Sequence, residues 1–414
     1  MELSESYFRT LALGLVQLSF CLALLAGACA LGQRWISKQR LAAAFRWILL
    51  TAVYVFTAAF VLNAFMVQWG FRGENSPFGF ERLLDHSAER PYVYRVLSPT
   101  VINAVAAVIP ETLVADGRKW LLDESPLLRY KRPGESWSVE KSKKWHVAYF
   151  YLFACLLGIL VAARVLTRAV CDVTPLFADF APSVALLFLP LTFHFGGYLY
   201  DFAELALMLL CLLALVKSRL IWFYPVYLLA ILNKESNVLI SFFFLAVMYD
   251  ALPRKKLLAH FAAQVTIGAL IVLALRIAFL DNGGSQALLS FPLNVLFWSS
   301  PKAYWSFITP YAPLILVPRG ANLISLFLLA FMVLWGWNQK PGAVRRLVLL
   351  SAACNLPLFL LFAFLDEIRN LSITFPAIYL VGCHTVNDVY GRLTVDRQDD
   401  VDRDSICNDE DRAD

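Results

Sequence analysis

Apolar runs of about 20 residues recur along this chain and restrict its fold more than any other feature. A helix of that length spans the roughly 30 Å hydrocarbon core of a bilayer. The chain is 59% hydrophobic and 16% charged, whereas soluble domains are about 45–50% apolar and about 25% charged. The runs therefore predict an all-α, polytopic transmembrane helical bundle of about 10–11 spans. The candidate spans are residues 9–31, 46–69, 146–167, 175–194, 199–216, 220–232, 236–250, 257–280, 311–337, 346–365 and 372–390.

Basic residues in the short connections predict the orientation, because cytoplasmic loops carry an excess of lysine and arginine. If the 32–45 connection is cytoplasmic and the spans alternate, every short basic connection also falls inside, as does the C-terminus. These connections contain Arg34, Lys38, Arg40, Arg164, Arg168, Lys217, Arg219, Arg254, Lys255, Lys256, Lys340, Arg345 and Arg346. We expect a multi-pass protein of a bacterial cytoplasmic membrane.

This orientation requires that the run 92–110 does not cross the membrane. It is under 20 residues long, contains Arg95 and Asn103, and has prolines at or near both ends, Pro91, Pro99 and Pro110, which favours an interfacial or re-entrant helix. A true span is the alternative, and it would place the basic 32–45 connection outside. Residues 70–145 then form one large extracytoplasmic loop with interfacial helices, within a single transmembrane domain of residues 1–390.

The segment 391–414 is acidic and lacks apolar periodicity, which predicts a disordered cytoplasmic tail. The formal net charge of +5 gives no support to nucleic-acid binding, which needs basic residues clustered on a soluble face. None of the eight cysteines has a metal-type spacing. We expect no cofactor; the spacing of the acids allows a divalent metal but does not indicate one.

With this topology, ionisable residues outside the cytoplasmic loops collect at one leaflet, on four separated segments. A charge near the hydrocarbon is costly unless it is paired or hydrated, so such residues are functional candidates. A structural ion pair, such as Lys234–Glu235 or Asp366–Arg369, is the alternative for any single segment. The candidate binding residues are Glu81, His86, Arg95, Tyr200, Glu204, Asn233, Lys234, Glu235, Glu367 and Arg369.

A polyprenyl-phosphate sugar would need this set of residues. Arg95, Lys234 and Arg369 are the candidate cations for its phosphate, since arginine suits bidentate contacts. Sugar transfer to a hydroxyl also needs a carboxylate that accepts the proton. Asp85 is our first candidate for this catalytic base, and Asp201 is the second.

The layout resembles that of the C-type (GT-C) membrane glycosyltransferases. That resemblance covers roughly residues 46–390 and places Glu81, Leu84-Asp85-His86 and Arg95 in the first large outer loop. It implies transfer of a sugar from a polyprenyl-phosphate donor to a glycan or lipid acceptor, among membrane lipids. The chain departs from the pattern by an extra leading span and by the lack of an adjacent acidic pair in the loop.

Two other functions remain open. A polysaccharide polymerase or ligase would also use lipid-linked sugars at the outer face. A secondary transporter would explain two short apolar runs separated by Asn233-Lys234-Glu235-Ser236, because transporters contain discontinuous helices. Against a transporter, no inverted repeat is visible and the charges lie at one leaflet.

Overall fold

The structure is a computed structural model that describes residues 38–71, 73, 76–131, 137–193, 196–285, 289–308 and 316–410, with side chains from residue 43 to 392. It is 77% helical and has almost no strand, which confirms the predicted all-α bundle. The predicted span 9–31 lies outside the described residues. By its contacts the chain divides into residues 1–56 and 57–414, and the boundary falls within the first helix.

Fourteen α-helices are described. They are α1 (Lys38–Gln68), α2 (Phe80–Leu84), α3 (Leu97–Val108), α4 (Glu111–Asp116), α5 (Val139–Val170), α6 (Pro175–Leu187), α7 (Asp201–Val216), α8 (Leu220–Asn233), α9 (Ser241–Met248), α10 (Arg254–Ala278), α11 (Phe291–Trp298), α12 (Leu323–Leu334), α13 (Gly342–Phe362) and α14 (Phe375–Glu410). The two short strands β1 (Phe307–Ile308) and β2 (Val317–Pro318) pair antiparallel.

Single turns of 3-10 or π helix connect several of the α-helices. Three of them contribute to the site described below: Tyr92–Tyr94, Glu235–Ile240 and Ile368–Thr374. The others are Trp120–Glu124, Pro126–Tyr130, Leu189–Thr192, Pro301–Tyr304 and Trp337–Gln339.

Within the described ranges, five helical segments are long and apolar enough to cross a membrane: Ala43–Gln68, Val139–Val170, Pro175–Thr192, Arg254–Ala278 and Gly342–Phe362. The protein is therefore membrane-embedded. Other predicted spans form shorter apolar helices. Helix α8 has 14 residues and rises about 21 Å.

The run 92–110 forms a 3-10 turn followed by α3, which has 12 residues. A helix of that length rises about 18 Å and is shorter than the hydrocarbon core. The other short apolar helices have similar lengths, so the expectation that this run does not cross the membrane stays a prediction.

The core of the second unit lies where α5 packs on α7 and α7 packs on α8, while α9 packs on α13. Small and apolar residues face each other at these contacts, including Ala148, Leu152 and Leu156 of α5 and Met208 and Leu212 of α7, all fully buried. Local signals start the helices: the Ser138 hydroxyl accepts from Lys141 N at the beginning of α5.

The last helix continues to Glu410, into the segment for which the sequence predicts a disordered tail. Residues 391–410 contain no proline, and their one glycine, Gly391, lies at the beginning of the segment. Nothing in that local sequence ends the helix, and low apolar content alone does not prevent one.

Candidate functional site

Four chain segments, separated in sequence, bring their charged residues together. These are the turn after Tyr94, the start of α7, the break between α8 and α9, and the 3-10 turn between α13 and α14. Helix α8 ends because Lys234 adopts an extended conformation, with φ −161° and ψ 128°. We call the resulting group the charged centre; it consists of Arg95, Asp201, Glu204, Lys234, Glu235, Glu367 and Arg369.

Glu204 and Lys234 form a buried ion pair in the charged centre. Lys234 Nζ lies 3.0 and 2.8 Å from the two carboxylate oxygens of Glu204. The Ser372 hydroxyl also donates to Glu204 Oε1 over 2.7 Å. The Lys234 and Glu204 side chains are 7% and 1% exposed, so each charge depends on the other.

Arg369 holds two other carboxylates. Its Nη1 lies 3.3 Å from both oxygens of Asp201, and its Nη2 donates to Glu367 Oε1. Asp201 also accepts from the backbone N–H of Tyr198 over 2.8 Å. Glu367 Oε2 accepts from Asn370 Nδ2 over 2.7 Å. Both carboxylates are therefore fixed by several donors.

Arg95 and Glu235 form a looser pair. Arg95 Nε lies 3.7 Å from Glu235 Oε2, which is too long for a hydrogen bond. Neither atom has a hydrogen-bond partner in the described part of the chain. The guanidinium of Arg95 lies over the ring of Tyr200, 4.3 Å from its centroid, and 5.1 Å from that of Tyr92. The cation–π contacts with the two tyrosines therefore fix Arg95 more than the carboxylate of Glu235 does.

Aromatic rings surround the two arginines. Phe78, Tyr92, Tyr198 and Tyr200 form what we call the aromatic column, with successive ring centroids 4.4, 5.3 and 5.4 Å apart. Arg369 lies 4.2 Å from the centroid of the Tyr198 ring. Of these four rings, only Tyr200 is among the candidate binding residues of the sequence analysis.

Asn233 connects the charged centre to the first loop. Its Nδ2 donates to the Tyr200 carbonyl over 3.0 Å, and its Oδ1 accepts from the Ser98 hydroxyl over 2.8 Å. The Ser98 hydroxyl also contacts the Tyr151 hydroxyl at 2.9 Å. Sequence reasoning missed Ser98 and Tyr151, since both are uncharged and lie in mainly apolar helices.

Tyr151 also lines an apolar groove of about 560 Å³ between α3, α4, the Trp120–Glu124 turn and α5. Its other polar lining residues are Lys143 and His146. His146 is held by the Ser142 carbonyl and the Ser125 hydroxyl, at 2.7 and 2.6 Å. The apolar lining consists of Val101, Val105, Ile109, Leu113, Val114, Gly117, Trp120, Leu121, Val147 and Phe150. The groove and the charged centre are thus linked through three side chains, Tyr151, Ser98 and Asn233, the last of which precedes Lys234 in the chain.

The candidates of the first loop other than Arg95 are not joined to the charged centre by any polar contact between described residues. Glu81 pairs with Lys141 over 3.2 Å. Asp85 ends α2 and is exposed, and no polar contact of its carboxylate is seen in the described regions. His86 has a φ of 55°, and its carbonyl accepts from Asn282. The catalytic role of Asp85 stays a prediction.

Asp366 lies beside the charged centre and has its own partner. Its Oδ2 is 3.4 Å from Arg319 Nε, and its Oδ1 accepts from Ala321 N over 3.3 Å. Burial raises the pKa of Asp366 to about 6, although the charge of Arg319 acts in the opposite direction. Gly320 has a φ of +46°, and a Cβ there would lie 2.0 Å from Asp366 Oδ2. Neither pair considered from the sequence forms: Asp366 pairs with Arg319 in place of Arg369, and Lys234 pairs with Glu204 in place of Glu235.

No group of three or more histidine, cysteine, aspartate or glutamate side chains that could hold a metal is found in the described ranges. In comparisons with known proteins, no family model, no curated protein and no solved structure matched this chain.

Proposed function

We propose that this protein is a membrane glycosyltransferase that moves a sugar from a polyprenyl-phosphate donor to an acceptor hydroxyl at the extracytoplasmic face. The observation that carries this proposal is the link between a charged centre with an aromatic column and an adjacent apolar groove. A lipid-linked sugar combines the same three chemical elements, because it has a charged phosphate, a ring with an apolar face and a hydrocarbon chain.

The contacts divide the cations of the centre into two kinds. Lys234 and Arg369 are bound by carboxylates, so their role in the proposal is to hold Glu204, Asp201 and Glu367 in place. Arg95 has a free Nε and is fixed by two tyrosine rings. It is therefore the cation that we assign to the donor phosphate, since guanidinium suits phosphate oxygens.

The aromatic column supplies flat surfaces beside Arg95. Sugar rings present C–H groups on one face, and an aromatic ring buries such a face while leaving hydroxyls to polar partners. Tyr200 has a buried hydroxyl without a hydrogen-bond partner among the described residues. A buried hydroxyl in that state gains from a ligand that can bond to it.

A secondary transporter is the second candidate, and one observation favours it. The chain is discontinuous between α8 and α9, and buried charges lie at that break. Discontinuous helices with such charges bind ions and substrates in transporters.

The test uses the purified protein in proteoliposomes with radiolabelled polyprenyl-phosphate sugars and a mixture of glycan and lipid acceptors. We expect label to move to an acceptor and polyprenyl phosphate to be released. Asp201→Asn should reduce this transfer, whereas the matched control Asp250→Asn, at an exposed acid paired with Arg346, should not. Solute uptake into sealed vesicles without transfer would favour the transporter, and products extended by many sugar units would favour a polymerase.

A further inference from the structure

The four carboxylates of the charged centre differ in the number of hydrogen bonds that they accept. Asp201 accepts from Arg369 and Tyr198 N, Glu204 from Lys234 and Ser372, and Glu367 from Arg369, Asn370 and Phe364 N. A carboxylate whose oxygens already accept several hydrogen bonds has few lone pairs left for a substrate hydroxyl. These three acids therefore have structural roles in the centre.

Glu235 is the exception. Its side chain is 25% exposed, more than those of Asp201, Glu204 and Glu367 at 6%, 1% and 11%. Its Oε2 is buried, has no hydrogen-bond partner among the described residues, and lies 3.7 Å from Arg95 Nε. The backbone conformation at Lys234 that ends α8 also separates Glu235 from the buried pair beside it.

We propose that Glu235 is the proton acceptor of the transfer reaction and that Arg95 holds the phosphate that leaves. This inference rests on the proposed function. The acceptor oxygen forms a bond to the anomeric carbon while the bond from that carbon to the phosphate oxygen breaks. The bonding electrons leave with the polyprenyl phosphate, whose added negative charge faces Arg95. The proton of the acceptor hydroxyl passes to Glu235 Oε2.

Because Arg95 and Glu235 lie side by side, the donor phosphate and the acceptor hydroxyl can bind next to each other. At 3.7 Å the two side chains attract each other without a hydrogen bond, so each keeps its donor or acceptor atom for the substrate. An acceptor hydroxyl would satisfy Glu235 Oε2, and a phosphate oxygen would satisfy Arg95 Nε. Leaving such buried atoms without partners costs free energy, which favours substrate binding at this point.

This assignment differs from the expectation that Asp85 is the base. Asp85 is exposed at the end of α2, and the described residues show no polar contact that links it to Arg95. Glu235 lies next to the cation that the mechanism needs, which is why we prefer it.

The test compares wild type, Glu235→Gln and Glu235→Asp in the transfer assay. Glu235→Gln should lower kcat at least a hundredfold, the usual range for positioned acid–base catalysis. The dissociation constant for the labelled polyprenyl-phosphate sugar should change less than threefold. Glu235→Asp, which keeps the carboxylate, should recover part of kcat. The matched control Glu140→Gln changes an exposed acid at the start of α5 and should behave as wild type.

The outcomes separate the inference from the function on which it rests. Wild-type transfer together with normal kcat in Glu235→Gln would overturn the assignment of Glu235 and leave the glycosyltransferase intact. Equal loss in Glu235→Gln and Glu235→Asp, with donor binding also lost, would show a role in binding and not in proton transfer. Absence of transfer by wild type with every donor would overturn both.

Discussion

Lys234 and Glu204 face each other with Nζ 3.0 and 2.8 Å from the two carboxylate oxygens, and both side chains are almost wholly buried. The residue next to Lys234 is an acid, Glu235, yet that acid turns to Arg95. The extended conformation of Lys234 produces this division, because it sends consecutive side chains to different partners.

We expect Lys234→Met to lower the free energy of unfolding by about 3–5 kcal/mol, because it leaves the Glu204 carboxylate buried without its cation. The double variant Lys234→Met/Glu204→Leu removes both charges and should recover most of that loss. Thermal unfolding in detergent measures both effects. The control Asp250→Asn removes the charge of an exposed acid paired with Arg346 and should cost under about 1 kcal/mol. Equal costs for the two single variants would contradict the buried pair.

Arg95→Lys should weaken donor binding at least tenfold while the protein still folds. A lysine keeps the charge but loses the planar guanidinium that stacks on Tyr200 and Tyr92 and can bind two phosphate oxygens. Binding of a labelled polyprenyl-phosphate sugar measures this change. Unchanged affinity in Arg95→Lys would show that Arg95 only anchors its loop.

The pH dependence of stability should include a contribution from Asp366. Its pKa is raised from 3.8 to about 6 in the folded state by burial, so its stabilising contribution is complete below about pH 4 and is lost as the pH rises through 6. At about 1.36 kcal/mol per pKa unit, the change is of the order of 3 kcal/mol.

Asp366→Asn isolates this contribution, because asparagine keeps an acceptor for Ala321 N and does not titrate. As the pH rises from 4 to 7, wild type should lose thermal stability relative to Asp366→Asn. A difference that stays constant over this range would contradict the raised pKa.

The topology predicts which cysteines a membrane-impermeant thiol reagent can reach. In a background with the native cysteines replaced by serine, Lys119→Cys should label from outside intact cells and Lys255→Cys only after permeabilisation. Both positions are solvent-exposed in the structure, so access to the reagent depends on the side of the membrane. Labelling in the reverse order would place the charged centre at the cytoplasmic face.

The sequence predicts the helical fold because hydrocarbon length and apolar runs are directly connected. It does not predict helix ends where a charged residue lies in an apolar context. Helix α5, for example, begins at Val139, before the predicted start at 146, since the Ser138 cap and an amphipathic first turn extend it.

The sequence predicts several of the residues that form the site, but it does not predict which acid contacts which base. Charge near an apolar run marks Glu204, Lys234 and Arg369 as candidates, and the structure brings them together. Which acid meets which base depends on helix rotation and on the bend at Lys234, and neither leaves a pattern in the sequence. The Tyr151–Ser98–Asn233 link is not predictable from the sequence either, because uncharged polar side chains are common in apolar helices.

The shortness of α8 has a consequence for what can react at the charged centre. A helix about 21 Å long that starts at one surface ends about 9 Å short of the other side of a 30 Å core. A molecule approaching from that other side must descend by this depth before it meets Glu235. We expect a slender chain end or a membrane-dissolved head group to reach this depth more readily than a globular partner. The size and shape of the acceptor molecule would then limit which acceptors react, before any hydrogen bond to Glu235 forms.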